Sequence, residues 1–451
     1  MPYVEGFGTW PFGEEWLWES VATSYLPLLD VLGRLPVTLS LTPVLCDQLE
    51  APDAIDRCLG FLREIRLATH ELDIAAARSR GESDAVAELE RSAACYAAAA
   101  DRLEALGPGG GLLAALGAHA SWTSAATHPI LPLLASDLGI ALQLQTGIGS
   151  HRRRFGDWGG GLWLPECAYS PWLDEPLAEA GVRHSCVELT GLFGRGDRRH
   201  LAALQTATGP LLWPIDRELI DRVWAPSGYP SAGPYRDRHR FTEHGHHVFS
   251  NDGTVYDHDR ALAQTRADAE DFVRHAILRL ATGGVSVCAL DAELFGDWWH
   301  EGVDWLEAVI DQAGRRGLPL TLLHDAAASR HQPVPVALQL GVSSWGEGGD
   351  LRTWSGPRAA ELAWRARSAE LTVLALGMRP SDRTLRELLA LQSSDWAFLH
   401  SRATAGDYPR QRADAHHADL HRALADATAV PPATARLRNL APVLAGWGSG
   451  R

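Results

Sequence analysis

Apolar and polar residues follow two distinct patterns over the first three quarters of the chain. Short runs of consecutive apolar residues predict buried strands at 36–42, 139–144, 161–165, 183–188, 285–290 and 318–323. Longer segments with apolar residues three and four positions apart predict helices at 15–33, 130–137, 171–180, 260–281 and 303–315. Strands that alternate with helices and are apolar on both faces indicate a parallel α/β sheet or barrel.

Two segments depart from this alternation. Residues 48–106 are rich in Ala, Glu and Arg with helical spacing, and the glycine-rich stretch GPGGG at 107–111 closes them. From about residue 356 onward only helical periodicity remains. We therefore predict an α/β unit of residues 1–47 and 112–355, a helical insertion at 48–111, and a C-terminal helical domain at 356–451.

Composition narrows the function classes. The 451-residue chain has a formal net charge of −15, which argues against a nucleic-acid partner. It contains no lysine, so a Walker-type phosphate lysine and Schiff-base chemistry are excluded. No apolar stretch is long enough to span a membrane, and the six cysteines form no Cys-x-x-Cys pair. These features predict a cytoplasmic protein without a membrane partner and leave the oligomeric state open.

A carboxylate follows two of the predicted strands directly. In GLWLPECAYSP (161–171) the apolar run leads into Glu166, and VSVCAL (285–290) leads into Asp291. Catalytic residues of parallel α/β folds gather at the carboxyl ends of strands. Two carboxylates there suit glycoside chemistry, in which one attacks the anomeric carbon or activates water and the other protonates the leaving oxygen.

Tryptophan supports the same chemistry. The chain has 17 Trp against 8 Tyr, and the flat apolar face of Trp stacks well on sugar rings. Trp298 and Trp299 follow Asp291 in DAELFGDWWH (291–300). Trp345 and Trp354 flank a glycine-rich loop in SSWGEGGDLRTW (343–354).

Six segments, in the same order, resemble glycoside hydrolase family 57 and in particular its 1,4-α-glucan branching enzymes. They are TSAATHPILPLL (123–134), GLWLPECAY (161–169), DRVWAPSGYP (221–230), DAELFGDWW (291–299), SSWGEGG (343–349) with Trp354, and LLALQSSDWAFL (388–399). The resemblance implies that Glu166 is the nucleophile and Asp291 the general acid/base. It further implies a set of substrate-binding residues, namely His128, Trp224, Trp299, Trp345, Trp354, Asp395 and Trp396.

The resemblance also implies a fold and a mechanism. The expected fold is a (β/α)₇ barrel with a helical insertion and a C-terminal helical domain. The expected reaction is the retaining cleavage of α-1,4-glucan with formation of α-1,6 branches, without a cofactor or metal. The two carboxyl groups of such an enzyme lie about 5–5.5 Å apart, and the pKa of Asp291 has to be raised by burial and by the charge of Glu166.

The chain departs from the family pattern in two places. The family begins with a strand carrying one or two histidines, whereas this sequence begins MPYVEGFGTW. We expect that the start codon was assigned too far downstream or that the chain is truncated. In addition, residues 190–212 lack the tyrosine that shields the family's glycosyl intermediate from water, and Tyr229 and Tyr235 are the candidates to replace it.

Other functions remain as alternatives. An amylase-type hydrolase of the same fold is one, and a catalytically impaired glucan-binding protein is another. A metal-dependent deacetylase would use the histidines of EHGHH (243–247) with Asp252, Asp257 and His258, although their spacing matches no known ligand pattern. A nucleophilic Cys167 lacks the His and Asn/Asp partners that such a residue needs.

Overall fold

The computed structural model describes residues 14–34, 36–107, 110–328, 333–335, 340–377 and 379–426. Its sheet has seven strands in the order β1-β2-β3-β4-β6-β5-β7. The strands are β1 Leu39–Leu41, β2 Ala120–Ser124, β3 Gly161–Trp163, β4 His184–Val187, β5 Leu204–Gln205, β6 Leu211–Pro214 and β7 Val334–Pro335.

Most of the sheet is parallel, as the alternation of strands and helices predicts. Strands β1 to β4 pair in parallel, and β6 joins β4 in the same direction. The short β5 runs antiparallel to β6 and parallel to β7. Ser124 lies opposite Trp163, so β2 and β3 end at the same edge, and the loops that follow them leave from neighbouring positions.

Nineteen α-helices lie in the described part of the chain. Those before β3 are α1 Glu15–Ser20, α2 Leu26–Leu32, α3 Pro43–Leu49, α4 Ala54–Gly60, α5 Leu67–Ser79, α6 Ser83–Ala105, α7 Gly111–Gly117 and α8 Asp137–Phe155. Those from β3 to β7 are α9 Asp174–Glu179, α10 Thr190–Phe193, α11 Arg217–Trp224, α12 His258–Arg279, α13 Gly302–Arg316 and α14 Leu323–Ala328. The remaining five are α15 Arg352–Ser355, α16 Ala360–Leu374, α17 Asp382–Leu391, α18 Ser394–Arg402 and α19 Tyr408–Ala425.

Three of the predicted strands are confirmed and three are wrong. Strands occur within 36–42, 161–165 and 183–188. Residues 139–144 instead lie in α8, where Ile140, Leu142 and Leu144 are all buried, so the apolar run belongs to a helix that is covered on several sides. Residues 285–290 form only a single parallel bridge to the end of β6, and 318–323 leads into α14 without forming a strand.

Helix α8 packs unusually close to the sheet. A Cβ at Gly147 would lie 2.3 Å from the carbonyl oxygen of Ser124, so only glycine allows this approach to the end of β2. Leu144 on the same helix belongs to the buried cluster that contains Leu162 and Leu164 of the β3 segment. The loop after β2 is therefore held against a rigid layer.

Helices fill the segments that the sequence assigns to the insertion and to the C-terminal region. Helices α4, α5 and α6 lie within 48–111, and α16 to α19 follow residue 356. The division into domains stays a prediction. The expected loss of a first strand concerns the start of the chain, where residues 1–13 lie outside the described residues, and it also stays a prediction. Among the described residues, no helix combines the length and apolarity needed to cross a bilayer.

Candidate active site

Glu166 lies just beyond the carboxyl end of β3, where the chain leaves the sheet in a tight turn. Its backbone adopts φ 59°, in the left-handed region that non-glycine residues rarely enter. The indole Nε1 of Trp345 donates to Glu166 Oε2 at 2.5 Å, and the Trp345 backbone N–H donates to the Glu166 carbonyl oxygen at 3.0 Å. The Glu166 carboxylate is thus fixed by a donor from a segment that lies 179 positions away.

His128 approaches the same carboxylate from the loop after β2. Its Nδ1 lies 3.9 Å from Glu166 Oε1, and its backbone also adopts a left-handed conformation, with φ 57°. Ser394, the first residue of α18, contacts it twice: Ser394 Oγ lies 3.0 Å from His128 Nδ1, and the Ser394 N–H donates to the His128 carbonyl at 3.1 Å. Burial lowers the pKa of His128 to about 4, so the ring is neutral at pH 7.

Asp291 begins a turn that the first helices hold in place. The Ser24 hydroxyl donates to the carbonyl oxygen of Ala292 at 2.7 Å, and the Tyr25 hydroxyl donates to the Glu293 carboxylate. Both donors belong to the π-helical segment Val21–Tyr25 that joins α1 to α2. A π-helical segment changes the direction of the side chains that follow it, and here it directs two hydroxyl groups at the acid-bearing turn.

The environment raises the pKa of both carboxyl groups. Burial raises the pKa of Glu166 to about 8, and the Asp291 charge adds to this while the Trp345 donor opposes it. Burial raises the pKa of Asp291 to about 7, with a further contribution from Glu293. Asp291 is deep in the fold, yet its side chain is exposed to a cavity, so displacement of cavity water by a ligand would raise its pKa further.

The two acids differ in their hydrogen bonding. The Trp345 indole can only donate, so it favours the ionised form of Glu166. The charge of Asp291 raises the pKa of Glu166, so ionisation of both acids at once is disfavoured. Because the two pKa values are about 8 for Glu166 and about 7 for Asp291, the pair holds about one proton between pH 7 and pH 8, and the form with Glu166 ionised and Asp291 protonated is one of its two singly protonated states. The predicted separation of about 5–5.5 Å stays a prediction.

Both acids line a single large cavity of about 2200 Å³. Small-molecule sites are usually about 300–1,000 Å³, so this volume suits a polymer better than a single small molecule. Five of the seven predicted substrate-binding residues also line the cavity, namely His128, Trp224, Trp345, Trp354 and Asp395. Trp354 is only 2% exposed and packs beneath Gly346, so it supports the cavity wall.

Two predicted substrate-binding residues do not reach the cavity, which corrects their placement. Trp299 is 2% exposed and packs against Tyr235 and Trp305 in the core. Trp396 is 1% exposed, and its Nε1 donates to the Ala390 carbonyl at 2.8 Å. Trp298, the neighbour of Trp299, lines the cavity instead and is 48% exposed.

The two tyrosines considered as shields also point elsewhere. The Tyr229 hydroxyl donates to Asp271 at 2.8 Å, and the Tyr235 hydroxyl donates to Asp268 at 2.6 Å. Neither residue is among those that line the cavity.

Cys167 is fully buried, and burial raises the pKa of its thiol well above the usual range, which makes it a poor nucleophile. In the described part of the chain, no three His, Cys, Asp or Glu side chains converge as metal ligands.

Comparison with known proteins agrees with this geometry. Residues 120–339 match the profile of glycosyl hydrolase family 57, and residues 358–442 match that of the 1,4-alpha-glucan branching enzyme C-terminal region. A probable 1,4-alpha-glucan branching enzyme of Mycobacterium tuberculosis is 33% identical over 92% of this chain and 88% of its own length. The chain belongs to glycoside hydrolase family 57.

Two solved structures of family 57 branching enzymes share the fold. The one from Pyrococcus horikoshii superposes with a TM-score of 0.86 at 27% identity, over 94% of this chain and 87% of that chain. The one from Thermococcus kodakaraensis, solved with glucose, gives 0.84 at 27% identity over 94% and 88%. These similarities confirm the predicted fold class, a (β/α)₇ barrel with a helical insertion and a C-terminal helical domain.

Proposed function

We propose that this protein is a 1,4-α-glucan branching enzyme that cleaves α-1,4 bonds and forms α-1,6 branches by a retaining mechanism. The observation that carries the proposal is that the two acids Glu166 and Asp291 line one cavity of about 2200 Å³. The 33% identity to a probable branching enzyme over nearly the whole chain supports the choice of reaction.

In the first step Glu166 attacks the anomeric carbon and forms a covalent glycosyl-enzyme. Its Oε2 accepts the Trp345 N–H, which leaves Oε1, on the side of His128, as the attacking atom. Asp291 donates its proton to the departing glycosidic oxygen, so the leaving chain departs as a neutral alcohol.

In the second step an acceptor chain resolves the intermediate. Asp291, now ionised, removes the proton from a 6-hydroxyl group, whose oxygen attacks the anomeric carbon and releases Glu166. If water attacks the glycosyl-enzyme in place of the sugar hydroxyl, the same two steps give hydrolysis. Because residues 190–212 contain no tyrosine and neither Tyr229 nor Tyr235 lines the cavity, amylase-type hydrolysis is the second candidate function.

The proposal includes a location and a partner. All six cysteines are free, which suits a reducing compartment, and we assign the protein to the cytoplasm. The partner we assign is an α-glucan chain such as amylose or a glycogen-like polymer. The cavity's combination of acids and exposed Trp faces suits such a neutral, ring-bearing polymer.

The decisive experiment is incubation of the protein with amylose followed by proton NMR. New α-1,6 signals with a falling iodine stain support branching. New reducing ends without α-1,6 signals identify a hydrolase, and binding without any change in amylose identifies a glucan-binding protein.

Variants of the two acids test their roles. Glu166→Gln and Asp291→Asn should each abolish turnover while the circular dichroism spectrum is retained, whereas Glu361→Gln, an exposed carboxylate on α16, should be as active as the parent. Activity retained in either acid variant would remove that residue from its assigned role.

A further inference from the structure

Exposed aromatic side chains are concentrated on the wall of the cavity. In the described part of the chain, six Trp and Phe side chains are more than a third exposed, and two of them, Trp172 and Trp364, lie outside the cavity. The four that line the cavity are Trp224, Phe241, Trp298 and Phe398. Exposed apolar rings cost free energy in water, and several of them on one cavity mark a binding surface.

Phe241 is the most exposed of these four rings, at 59%. It lies on a loop of residues 236–258, here called the outer loop, in the polar stretch RDRHRFTEHGHH. The His247 ring meets Phe241 edge-on at 6.0 Å between centroids, which orients the ring without covering it.

The histidine-rich stretch EHGHH fixes the outer loop to the helical insertion. The His246 ring lies 3.6 Å from the His70 ring of α5, centroid to centroid, and His246 Nε2 is 3.1 Å from Thr69 Oγ1. The Thr242 hydroxyl donates to Asp73 on the same helix. These contacts explain the histidines as anchors of the loop that carries Phe241.

Buried contacts with α6 complete this attachment. Val248 packs in a small apolar cluster with Ala77 and Leu89 of the insertion. Arg236 forms an ion pair with Glu88 in which both side chains are less than 10% exposed. The insertion therefore serves as a scaffold for the outer loop.

The outer loop is also fixed to the segment that bears Asp291. Arg238 forms an ion pair with Asp297 at 3.0 Å, and its guanidinium lies 4.4 Å from the centroid of the Trp298 ring. Phe241 follows Arg238 by three residues. Arg238 thus links the segment that bears Asp291 and Trp298 to the loop that bears Phe241, and all of these residues line the same cavity.

We propose that Trp298 and Phe241 form an outer glucan-binding subsite, built by the outer loop on the helical insertion, that holds an α-glucan chain beyond the catalytic centre. The occupant is the same polymer as in the proposed function, on which this inference rests, because both rings line the cavity that Glu166 and Asp291 line. Pyranose rings present apolar C–H faces that stack on aromatic rings, and a neutral polymer requires no charged partner.

The test compares the binding of amylose and of maltotriose by isothermal titration calorimetry, together with kcat/KM on amylose. Phe241→Ala should weaken amylose binding about tenfold, which corresponds to about 1.4 kcal/mol, and should leave maltotriose binding unchanged. Trp298→Ala should have the same selectivity. Phe241→Trp should restore amylose binding, and Trp364→Ala, an exposed ring outside the cavity, should behave as the parent protein.

Each outcome decides one question. If the parent protein acts on amylose but Phe241→Ala binds amylose as Trp364→Ala does, the outer subsite is refuted and the proposed function stands. An equal loss for amylose and maltotriose would also refute it, because the ring would then act on the catalytic centre. If the parent protein neither binds nor alters amylose, the proposed function fails and the subsite fails with it.

Discussion

Replacement of Trp345 by phenylalanine tests whether the indole N–H favours the ionised form of Glu166. The indole Nε1 donates to Glu166 Oε2 at 2.5 Å, and this bond lowers the pKa of Glu166 against the effect of burial. Phenylalanine keeps a ring against Trp163, whose centroid lies 5.1 Å from that of Trp345, but it has no N–H to donate. The substitution therefore removes one donor from the charged form of Glu166.

The structure sets the size of the effect. A hydrogen bond to a charged group contributes about 1.5–3 kcal/mol to stability, and one pKa unit corresponds to 1.36 kcal/mol. Loss of the donor should therefore raise the pKa of Glu166 by about 1–2 units. Because turnover requires an ionised Glu166 and a protonated Asp291, the optimum of the pH profile lies midway between their two pKa values and should move to higher pH by about half of this shift, about 0.5–1 unit.

The assay is kcat/KM on amylose, measured from about pH 4 to pH 9. The control is Trp163→Phe, which removes an indole from the same aromatic contact but not the donor to Glu166. Its pH optimum should coincide with that of the parent protein. An unmoved optimum in Trp345→Phe, or an equal shift in both variants, would refute the role of the indole N–H.

Two further predictions concern the fold and are measured by urea unfolding. Gly296→Ala should lower the free energy of unfolding by about 3 kcal/mol or more, because the new Cβ would lie 1.8 Å from a backbone oxygen of the π-helical segment and the backbone has φ 101°. The control is Gly314→Ala in α13, where a Cβ would meet no atom within 4 Å. This substitution should raise the free energy of unfolding by about 0.5–1 kcal/mol. Arg279→Ala should lower the free energy of unfolding by about 3–5 kcal/mol because the buried Asp216 loses its positively charged partner and keeps only neutral donors such as the Ser286 hydroxyl. Loss of the exposed Arg199 should change it little. Stability retained in Gly296→Ala or Arg279→Ala would contradict these contacts.

The two acids could be found from the sequence because each of them comes directly after a short apolar run. A short apolar run followed at once by a carboxylate is visible in the sequence before both Glu166 and Asp291, although only the run before Glu166 forms a strand. Strand β2 was missed because ASWTS is short and half polar, and its burial comes from α8 and the neighbouring strands. The strand predicted at 139–144 was wrong because apolar runs do not distinguish a covered helix from a strand.

The aromatic residues show a second limit of prediction from the sequence. Trp298 and Trp299 are adjacent, and no local pattern says which ring faces the cavity. The turn at Gly296, with φ 101°, decides this by directing Trp299 into the core. Likewise, the histidines of EHGHH anchor their loop through His70, which lies 176 positions before His246, so the sequence alone suggested only metal binding for them.

The backbone at Glu166 and His128 explains why the catalytic site depends on the whole chain. Each residue occupies the left-handed region, which costs about 1–3 kcal/mol for a non-glycine residue and persists only where the surroundings hold it. The holding bonds come from late segments: the Trp345 N–H binds the Glu166 carbonyl, and the Ser394 N–H binds the His128 carbonyl. The strained geometry on the early strands is thus completed by residues more than 170 positions later. Docking of α18 and of the loop at Trp345 is therefore a structural requirement for the catalytic arrangement, in addition to any contact these segments make with glucan.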